Sequence, residues 1–407
     1  MQYVLKNKDK EVLKFEVKTT IKHFNKEKYP YSGESHNAEI TNINIVDENI
    51  LPLNIDKNDI KKSLESWITN RKVPKNRAYV EKIIETYTND NTQDSLMDYI
   101  DVSLALSLND SYWVIPANSD YSWKDYNLYQ NEFDKALSLV AFSGISHKVK
   151  NIVTSPEYST NGMLKKCWYR DNGAIYLYKG SSEKYANGGR ESYSEFYMTQ
   201  IAQIMGFSCI DYDLKLFHNE IISICPIFTN ENEGYMPIYQ FLNKTEMLSK
   251  DLELINSIAR IYGKDKLDNL MLFDALIYNT DRHLGNFGMI VDNNTNKILR
   301  PAPIFDNGFS MINYLTENEL KSIDTALKEK ISSFGFLFDK QLEIALQPRH
   351  LESLNKLKTF EFKKHKDYNL PDSFLEPINK HINKRAEFAI NLCLQKEKEI
   401  NKSKNLN

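Results

Sequence analysis

The spacing of apolar positions divides the chain into segments with a strand period and segments with a helix period. Near the start, "MQYVLKNKDKEVLKFEV" alternates around a polar turn, which predicts a short hairpin. In "KNDIKKSLESWITNRKVP", Leu64, Trp67 and Ile68 recur at helical spacing until Pro74 interrupts the pattern. Two more short helices are predicted in "AYVEKIIETY" and "SLMDYIDVSLALS", and a strand in "SYWVIP". We interpret residues 1–145 as a mixed α/β domain or an elaborate N-terminal extension.

The pattern becomes mainly that of strands from residue 146. The segment "VKNIVTSPEYSTNGMLKKCWYRDNGAIYLYKGS" predicts a strand, a polar loop, a second strand, a turn at "DNG" and a third strand. Ile175, Leu177 and Lys179 share one face of that third strand. A helix ending at Gly206 is predicted in "ESYSEFYMTQIAQIMGF", and two further strands are predicted in "YDLKLFHNEIISICPIFT".

Helical spacing dominates from "KDLELINSIARIYG" onward, apart from a predicted hairpin of residues 287–292 and 297–304. A strand-rich half that contains one helix, followed by a helical half, is the organisation of a bilobed, protein-kinase-like α+β fold. We therefore predict a kinase N-lobe over residues 146–235, a C-lobe over 236–395 and a polar tail over 396–407.

Composition and charge narrow the functional classes. The 407 residues are 41% hydrophobic and 26% charged, with a net charge of −3, as in a soluble globular protein. This charge gives no reason to expect nucleic acid or an anionic membrane as a partner, and the candidate helices lack the basic face of a DNA reader. The four cysteines have neither metal-ligand spacing nor the density of a disulfide framework. Because no signal peptide or transmembrane-length apolar run is present, we expect a cytoplasmic protein.

Candidate chemistry lies in the stretch "NTDRHLGN", which carries Asp281 and Asn286 five positions apart on one predicted loop. Phosphoryl transfer needs a carboxylate that orients the attacking hydroxyl, and it needs oxygen ligands for Mg²⁺. Asp281 suits the first role and Asn286 the second. The predicted hairpin after Asn286 brings another carboxylate, Asp306, back beside it, so that both side chains can bind the same metal ion.

Two more charged residues complete the pattern. Lys179 ends a predicted strand, and Glu195 lies on the helix that follows. Taken singly, an Asp and an Asn at this spacing mostly mark a turn, and a lone Lys or Glu is usually a solvated surface residue. Together they occur in the order, and on the predicted elements, that a nucleotide-phosphate site requires. We infer such a site.

These motifs make residues 145–390 resemble the HipA-like serine/threonine kinases of bacterial toxin–antitoxin systems. The resemblance rests on "NTDRHLGNFG", "APIFDNGFS", "IYLYKG" and "SEFYMTQIAQIMG". It implies that Asp281 is the catalytic Asp and that Lys179 binds the ATP phosphates. It further implies that Asn286 and Asp306 are the Mg²⁺ ligands.

The same resemblance assigns a helix residue and a hinge. Glu195 would pair with Lys179 and hold it in place, with Glu191, one helical turn earlier, as the competing candidate. The segment "ICPIFT" is similar to the hinge of a kinase, in which the backbone of Cys225 and Ile227 would bind the adenine edge.

The loop that would cover the phosphates departs from the usual kinase pattern, because "TSPEYSTNG" has one glycine and no G-x-G-x-x-G. Successive backbone N–H groups and hydroxyls can still bind phosphate, so the expected contacts are Ser155, Ser159, Thr160 and Asn161. In the family a serine of this loop can be autophosphorylated, which inactivates the enzyme. Ser159 or Thr160 is the expected position here, and the alternative is an ordinary polar loop.

Two other functional classes stay open. "DRHxxN" followed by an Asp motif also resembles lipid kinases of the phosphoinositide type, and a small-molecule kinase could share this loop. Those lipid kinases usually carry DFG where this chain has Asp306-Asn307-Gly308, which favours the HipA-like interpretation. The other class is a nucleotide-binding regulatory module without turnover.

A loop histidine such as His283 more often fixes the loop by backbone hydrogen bonds than it transfers protons.

The resemblance also implies cofactors and partners. ATP and Mg²⁺ would be the cofactors, and a protein with a serine or threonine acceptor would be the substrate. An antitoxin or another regulatory partner is implied, whereas neither a membrane nor direct nucleic-acid binding is expected. Residues 1–145 would recognise the substrate, take the place of a partner subunit or inhibit the kinase in cis.

Overall fold

The computed structural model describes residues 1–23, 34–86, 96–145, 154–182 and 188–404. The chain divides into two compact units, each with its own cluster of buried apolar side chains. The first unit comprises Met1–Tyr178, Thr229–Tyr235 and Ile290–Leu299, and the second comprises Lys179–Phe228, Met236–Met289 and Arg300–Asn407. The predicted domain boundaries stay a prediction.

The first unit contains a four-stranded antiparallel sheet. Its strands are β1 (Gln2–Asn7), β2 (Lys10–His23), β3 (Glu34–Ile45) and β4 (Tyr112–Pro116), in the order β3-β2-β1-β4. Tyr3 of β1 lies opposite Phe15 of β2 and Pro116 of β4. The predicted N-terminal hairpin and the strand in "SYWVIP" are confirmed. The apolar spacing does not predict β3, because Asn42 takes a positive φ of 50° and shifts the alternation.

Five helices of the first unit lie in the described residues. They are α1 (Ile60–Thr69), α2 (Val80–Glu85), α3 (Leu96–Ser103), α4 (Trp123–Tyr126) and α5 (Lys135–Ser143). The three helices predicted in this part of the chain are confirmed as α1, α2 and α3. The apolar face of α1 enters the core through Leu64, Trp67 and Ile68, as its spacing predicts.

The polar segment after α5 folds around a buried charge. The strand predicted before Thr154 falls in residues outside the described ranges. A 3-10 turn, Pro156–Tyr158, places Glu157 in the interior of the unit, where its carboxylate pairs with Arg77 at 2.9 Å. Arg77 also donates to the carbonyl oxygens of Thr160 and Lys166. Strands β5 (Lys166–Asp171) and β6 (Ala174–Lys179) follow, joined by the predicted turn.

The second unit begins with the end of β6 and continues with the predicted helix and strands. These are α6 (Glu191–Ile204), β7 (Asp213–Phe217) and β8 (Glu220–Pro226), and the two strands pair antiparallel. Both predictions are confirmed. Helix α6 ends near Gly206, whose φ of 70° is a conformation that glycine adopts without steric strain.

A three-stranded sheet supplies residues to both units. Its strands are β9 (Glu233–Pro237), β10 (Gly288–Asp292) and β11 (Ile298–Pro301), in the order β11-β10-β9. The predicted hairpin is therefore confirmed as β10 and β11, although β11 is shorter than predicted. Beyond it, Ile304 forms a separate parallel bridge to Cys209, and this contact directs the chain toward Asp306.

Besides α9 (Lys264–Ile277), seven further helices of the second unit lie in the described residues. They are α7 (Lys244–Leu248), α8 (Asp251–Tyr262), α10 (Met311–Tyr314), α11 (Ile323–Leu327), α12 (Phe338–Ala345), α13 (Leu351–Leu357) and α14 (Asp372–Lys404). Apolar side chains bury nearly every face of α9, so this helix forms the centre of the core. Among the helices of the described residues, none combines the length and the apolar character that crossing a bilayer requires.

We expect Arg77→Met to destabilise the protein by about 3 to 5 kcal/mol, because it leaves the Glu157 carboxylate charged and unpaired in the interior. Urea denaturation followed by tryptophan fluorescence measures this loss. The control is Lys57→Met, which removes an exposed ion pair to Glu48 and should cause no measurable loss. Equal stability of the two variants would contradict the importance of the buried pair.

Candidate active site

The five charged and amide side chains of the predicted phosphate site all lie in the second unit. Lys179 ends β6, and Glu195 lies in the middle of α6. Asp281 and Asn286 lie in the loop between α9 and β10, and Asp306 follows the bridge at Ile304. Their predicted roles in binding and catalysis stay predictions, but their mutual geometry is defined.

Lys179 joins two carboxylates. Its Nζ lies 2.6 Å from Glu195 Oε1 and 2.5 Å from Asp306 Oδ1. The second Glu195 oxygen accepts a hydrogen bond from the Ser223 hydroxyl. The competing Glu191 accepts instead from the backbone N–H and the hydroxyl of Ser182. The ion pair with Lys179 is therefore made by Glu195.

Burial and charge act in opposite directions on this cluster. Burial by itself lowers the pKa of the Lys179 ammonium, but the charges of Asp306 and Glu195 outweigh it and hold that pKa above its ordinary value. Burial raises the pKa of the Glu195 carboxyl, and the nearby ammonium partly offsets that rise. Lys179 thus stays protonated between the two carboxylates.

Hydrogen bonds within the loop after α9 fix Asp281 and Asn286. The backbone N–H of Asp281 donates to Asn279 Oδ1 at 3.0 Å. Asn286 Nδ2 donates to the Asp281 carbonyl oxygen at 2.9 Å, which leaves the Asn286 amide oxygen as the group available to a cation. His283 is exposed, and its Nδ1 accepts from the Gly285 backbone N–H. His283 thus bonds to the loop backbone, as predicted.

A fully buried ion pair lies beneath this loop. Arg282 Nε is 3.0 Å from Asp274 Oδ2, and both side chains are 1% exposed. Asp274 lies in the last turn of α9 and also accepts from Asn279 Nδ2 at 3.0 Å. The ion pair therefore attaches the loop to the central helix of the unit.

The remaining donors of Arg282 reach the segment that carries Asp306. Its Nη1 donates to the carbonyl oxygens of Asn286 and Phe305, and its Nη2 lies 2.9 Å from Asn307 Oδ1. One guanidinium thus joins the residues that flank Asp281, Asn286 and Asp306. The sequence prediction that the hairpin brings Asn286 and Asp306 together agrees with this arrangement.

Helix α6 contacts the same segment from the other side. Ser194 donates to the Asn307 carbonyl oxygen at 3.2 Å and bonds to the Ser310 hydroxyl. A Cβ atom on Gly308 would lie 3.2 Å from Glu191 Cβ, so a larger side chain there would press on the helix. The close approach explains why glycine suits this position, and it couples the placement of Glu195 to that of Asp306.

The electrostatics of the site favour a cation. Burial raises the pKa of the Asp281 carboxyl, and the charge of Asp306 raises it further. Lys179 pairs with Glu195 and Asp306, and a third carboxylate, Asp281, lies within reach of the charges of Asp306 and Lys179. Because Asp306 and Asn286 supply the oxygen ligands that Mg²⁺ prefers, this donor set fits a magnesium ion.

The residues predicted to form the adenine-binding hinge lie at the end of β8 and directly after it. Cys225 and Pro226 end β8, and Ile227 follows them in the second unit. The ring of Phe228 packs 5.3 Å from that of Phe305, next to Asp306. Hinge contacts with adenine stay a prediction.

The four loop residues predicted to bind phosphate lie in the first unit, where their polar groups have other partners. Ser155 accepts from the Glu157 backbone N–H, and Ser159 is 5% exposed and donates to the Pro156 carbonyl oxygen. Thr160 donates to the same oxygen, and the Asn161 carbonyl oxygen accepts from Lys166 Nζ at 2.9 Å. Phosphate binding by these residues stays a prediction.

Sequence reasoning missed the residues that position the site. Arg282 and Asp274 form the buried ion pair that attaches the loop of Asp281 and Asn286 to α9. Ser223 donates to Glu195, and Tyr212 accepts from the backbone N–H of Asp306. Asp274 does leave a signal, because an acidic residue within the apolar stretch "LMLFDALI" must have a buried partner. Tyr212 and Ser223 leave none, since a tyrosine before a strand and a serine within one are ordinary.

Comparison with known proteins finds structural similarity to two solved proteins at TM-scores below 0.5. No model of a known protein family and no curated protein matches the sequence. Among solved structures, the proinflammatory kinase CtkA of Helicobacter pylori is 16% identical, with a TM-score of 0.48, and the match covers 60% of this chain and 95% of CtkA.

HipA of Shewanella oneidensis, solved in a toxin–antitoxin complex with HipB and its operator DNA, is 12% identical with a TM-score of 0.49. That match covers 95% of this chain and 96% of HipA. The strands and helices of the described residues agree with the predicted α+β class. The kinase-like architecture and the resemblance to HipA-like kinases stay predictions. Similarity at this identity assigns neither activity nor substrate to this chain.

We expect Arg282→Lys to destabilise the protein by about 3 kcal/mol or more, because one ammonium cannot replace the fork that reaches Asp274, Asn286 and Phe305 together. Thermal unfolding measures the loss, and hydrogen exchange should show faster opening of residues 305–308.

The matched control for that experiment is Arg260→Lys. Arg260 is 68% exposed and pairs with Glu246 on the surface, where a lysine can make the same contact. If Arg282→Lys melts at the same temperature as Arg260→Lys, the buried guanidinium does not have the structural role described here.

Proposed function

We propose that this protein is an ATP- and Mg²⁺-dependent protein kinase of the HipA-like type that phosphorylates a serine or threonine. The observation that supports this most directly is the joining of Lys179, Glu195 and Asp306 beside the loop that carries Asp281 and Asn286. A lysine on the phosphates, a carboxylate that orients a hydroxyl and oxygen ligands for metal are what phosphoryl transfer requires.

Asp306 and Asn286 would hold the metal ion, and Lys179 would bind the nucleotide phosphates. Bound Mg²⁺ supplies charge compensation between the carboxylates and the phosphates. Without it, the excess of carboxylates around Lys179 would repel a polyphosphate. We therefore infer that the nucleotide binds tightly together with a divalent cation and weakly without one.

Asp281 would accept a hydrogen bond from the acceptor hydroxyl and orient it toward the phosphate. Its backbone N–H is held by Asn279 and its carbonyl oxygen by Asn286, so the side chain projects from a fixed loop. Because the loop already restricts the carboxylate, less conformational entropy is lost when the substrate binds.

Autophosphorylation and regulation belong to the same proposal. We infer that Ser159 or Thr160 is the modified residue, and the burial of Ser159 means that its loop must open before a phosphate can be attached. We further infer an antitoxin or other regulatory partner from the resemblance in sequence motifs. The first unit would serve that partner or the substrate.

The test is the intact mass of the purified protein after incubation with ATP and Mg²⁺. Wild type should gain phosphate, whereas Asp281→Asn and Asp306→Asn should gain none while melting at temperatures close to that of wild type. Peptide mapping of the product then examines Ser159 and Thr160. Asp265→Asn, at an exposed position of α9, is the control and should behave as wild type.

Each outcome selects a function. Nucleotide and metal binding without any phosphate gain, alone or with candidate proteins, would replace the proposal with a regulatory nucleotide-binding module. Transfer to lipids or small molecules, but to no protein, would favour a lipid or small-molecule kinase. Phosphate gain by Asp281→Asn equal to that of wild type would refute the assigned role of Asp281.

The pH dependence of transfer should report the raised pKa of Asp281. The carboxylate must be ionised to accept the hydroxyl proton, so activity is present above its pKa and is lost as the pH falls through it. The ordinary pKa of an aspartate is about 4. We expect the acid limb of the kcat/KM profile to lie at a higher pH than that. An acid limb at or below that ordinary range would contradict the effect of burial and of Asp306.

A further inference from the structure

Asp306 has an unusual backbone conformation that needs a physical cause. Its φ is 56°, in the left-handed region that a side chain bearing a Cβ rarely occupies. Aspartate tolerates this region better than most residues, but the conformation persists only where surrounding contacts impose it. The contacts of the Asp306 backbone therefore decide where its carboxylate points.

The two chain segments that meet before Asp306 form the start of a parallel ladder. The Ile304 backbone N–H donates to the Ser208 carbonyl oxygen at 2.8 Å, and the Ile210 N–H donates to the Ile304 carbonyl oxygen at 2.9 Å. If this pattern continued, the Asp306 N–H would donate to the Ile210 carbonyl oxygen, and Asp306 would stay extended.

The ladder instead ends at this step, where each of the two groups bonds to a side chain. The Ile210 carbonyl oxygen accepts from the Thr199 hydroxyl at 2.8 Å. The Asp306 N–H donates to the Tyr212 hydroxyl oxygen at 3.0 Å. The Tyr212 hydroxyl thus replaces a backbone carbonyl as the acceptor, which lets Asp306 leave the extended conformation without losing its hydrogen bond.

The surroundings of Tyr212 fit this task. The residue lies directly before β7 and is 9% exposed, so its ring is fixed by packing. Its hydroxyl lies near the charges of Glu195 and Asp306. It therefore adjoins both carboxylates that Lys179 joins.

The geometry points to Tyr212 as a positioning residue for the metal site: its hydroxyl holds Asp306 in the left-handed conformation that directs the carboxylate toward Lys179 and the metal ion. This inference rests on the proposed function, since it assigns Asp306 to the metal. Without the hydroxyl, the Asp306 N–H would turn toward the Ile210 carbonyl oxygen, and the carboxylate would move with it.

The variant Tyr212→Phe keeps the buried ring and removes only the hydroxyl. Mn²⁺ serves as the probe, and its binding to the full chain is titrated by electron paramagnetic resonance with a non-hydrolysable ATP analogue present. Loss of an outer-shell contact weakens metal binding by about 10- to 100-fold, and we expect a loss in that range. In the presence of EDTA, the analogue should bind as weakly to the variant as it does to wild type.

The control is Tyr197→Phe, which removes the hydroxyl of another buried tyrosine, bonded to Asn369 rather than to Asp306. It should leave the Mn²⁺ affinity unchanged. Equal Mn²⁺ affinity of Tyr212→Phe and wild type would overturn the inference while leaving the proposed function intact. A wild type that binds neither Mn²⁺ nor the analogue would overturn the proposed function itself.

If Tyr212→Phe binds the analogue in EDTA more weakly than wild type does, a second variant decides the question. Thr199→Val removes the donor to the Ile210 carbonyl oxygen and frees that oxygen to attract the Asp306 N–H. Weaker Mn²⁺ binding at unchanged affinity for the analogue would support the role of the interrupted ladder. Unchanged Mn²⁺ binding in Thr199→Val would then count against it.

Discussion

The ion pair between Arg282 and Asp274 has almost no exposed surface, and it holds together the segments that carry Asp281, Asn286 and Asp306. Asp274 belongs to the central helix of the second unit, while the other donors of Arg282 bind the backbone beside Asn286 and Asp306. A buried pair of this kind contributes little net stability compared with apolar packing, but removing one partner is strongly unfavourable. Its value lies in specifying one relative position for two loops that carry charge.

Once those loops are fixed, like charges come close together. Lys179 compensates Glu195 and Asp306, while burial and, after it, the charge of Asp306 raise the pKa of Asp281. The helix that carries Glu195 is bound to the same segment through Ser194 and the close approach at Gly308. A displacement of that helix would therefore separate Glu195 from Lys179 and disturb Asp306 at the same time. The site is arranged so that a metal ion and an anionic ligand relieve its charge together.

Much of this arrangement could be predicted from local sequence. Strand and helix periods locate α6, β7, β8 and the hairpin of β10 and β11, because each depends on apolar spacing within a few residues. The loop with Asp281 and Asn286 and the return of the chain to Asp306 follow from the same reasoning. The segment 154–162 shows where such reasoning fails. Its polar composition is typical of an exposed loop, yet the distant Arg77 holds Glu157 in the interior.

The sequence by itself thus determined the order of the elements and the residue types that can bind phosphate and metal, since both are properties of short stretches. Only the tertiary structure decided that Glu195 rather than Glu191 pairs with Lys179, that Arg282 lies beneath the site, and that the Tyr212 hydroxyl accepts from Asp306. These contacts join residues far apart in the chain. They depend on how whole helices and strands pack, and the apolar spacing within a short stretch does not encode that packing. A buried charge or hydroxyl can bond to its partner only where the apolar core brings the two side chains together.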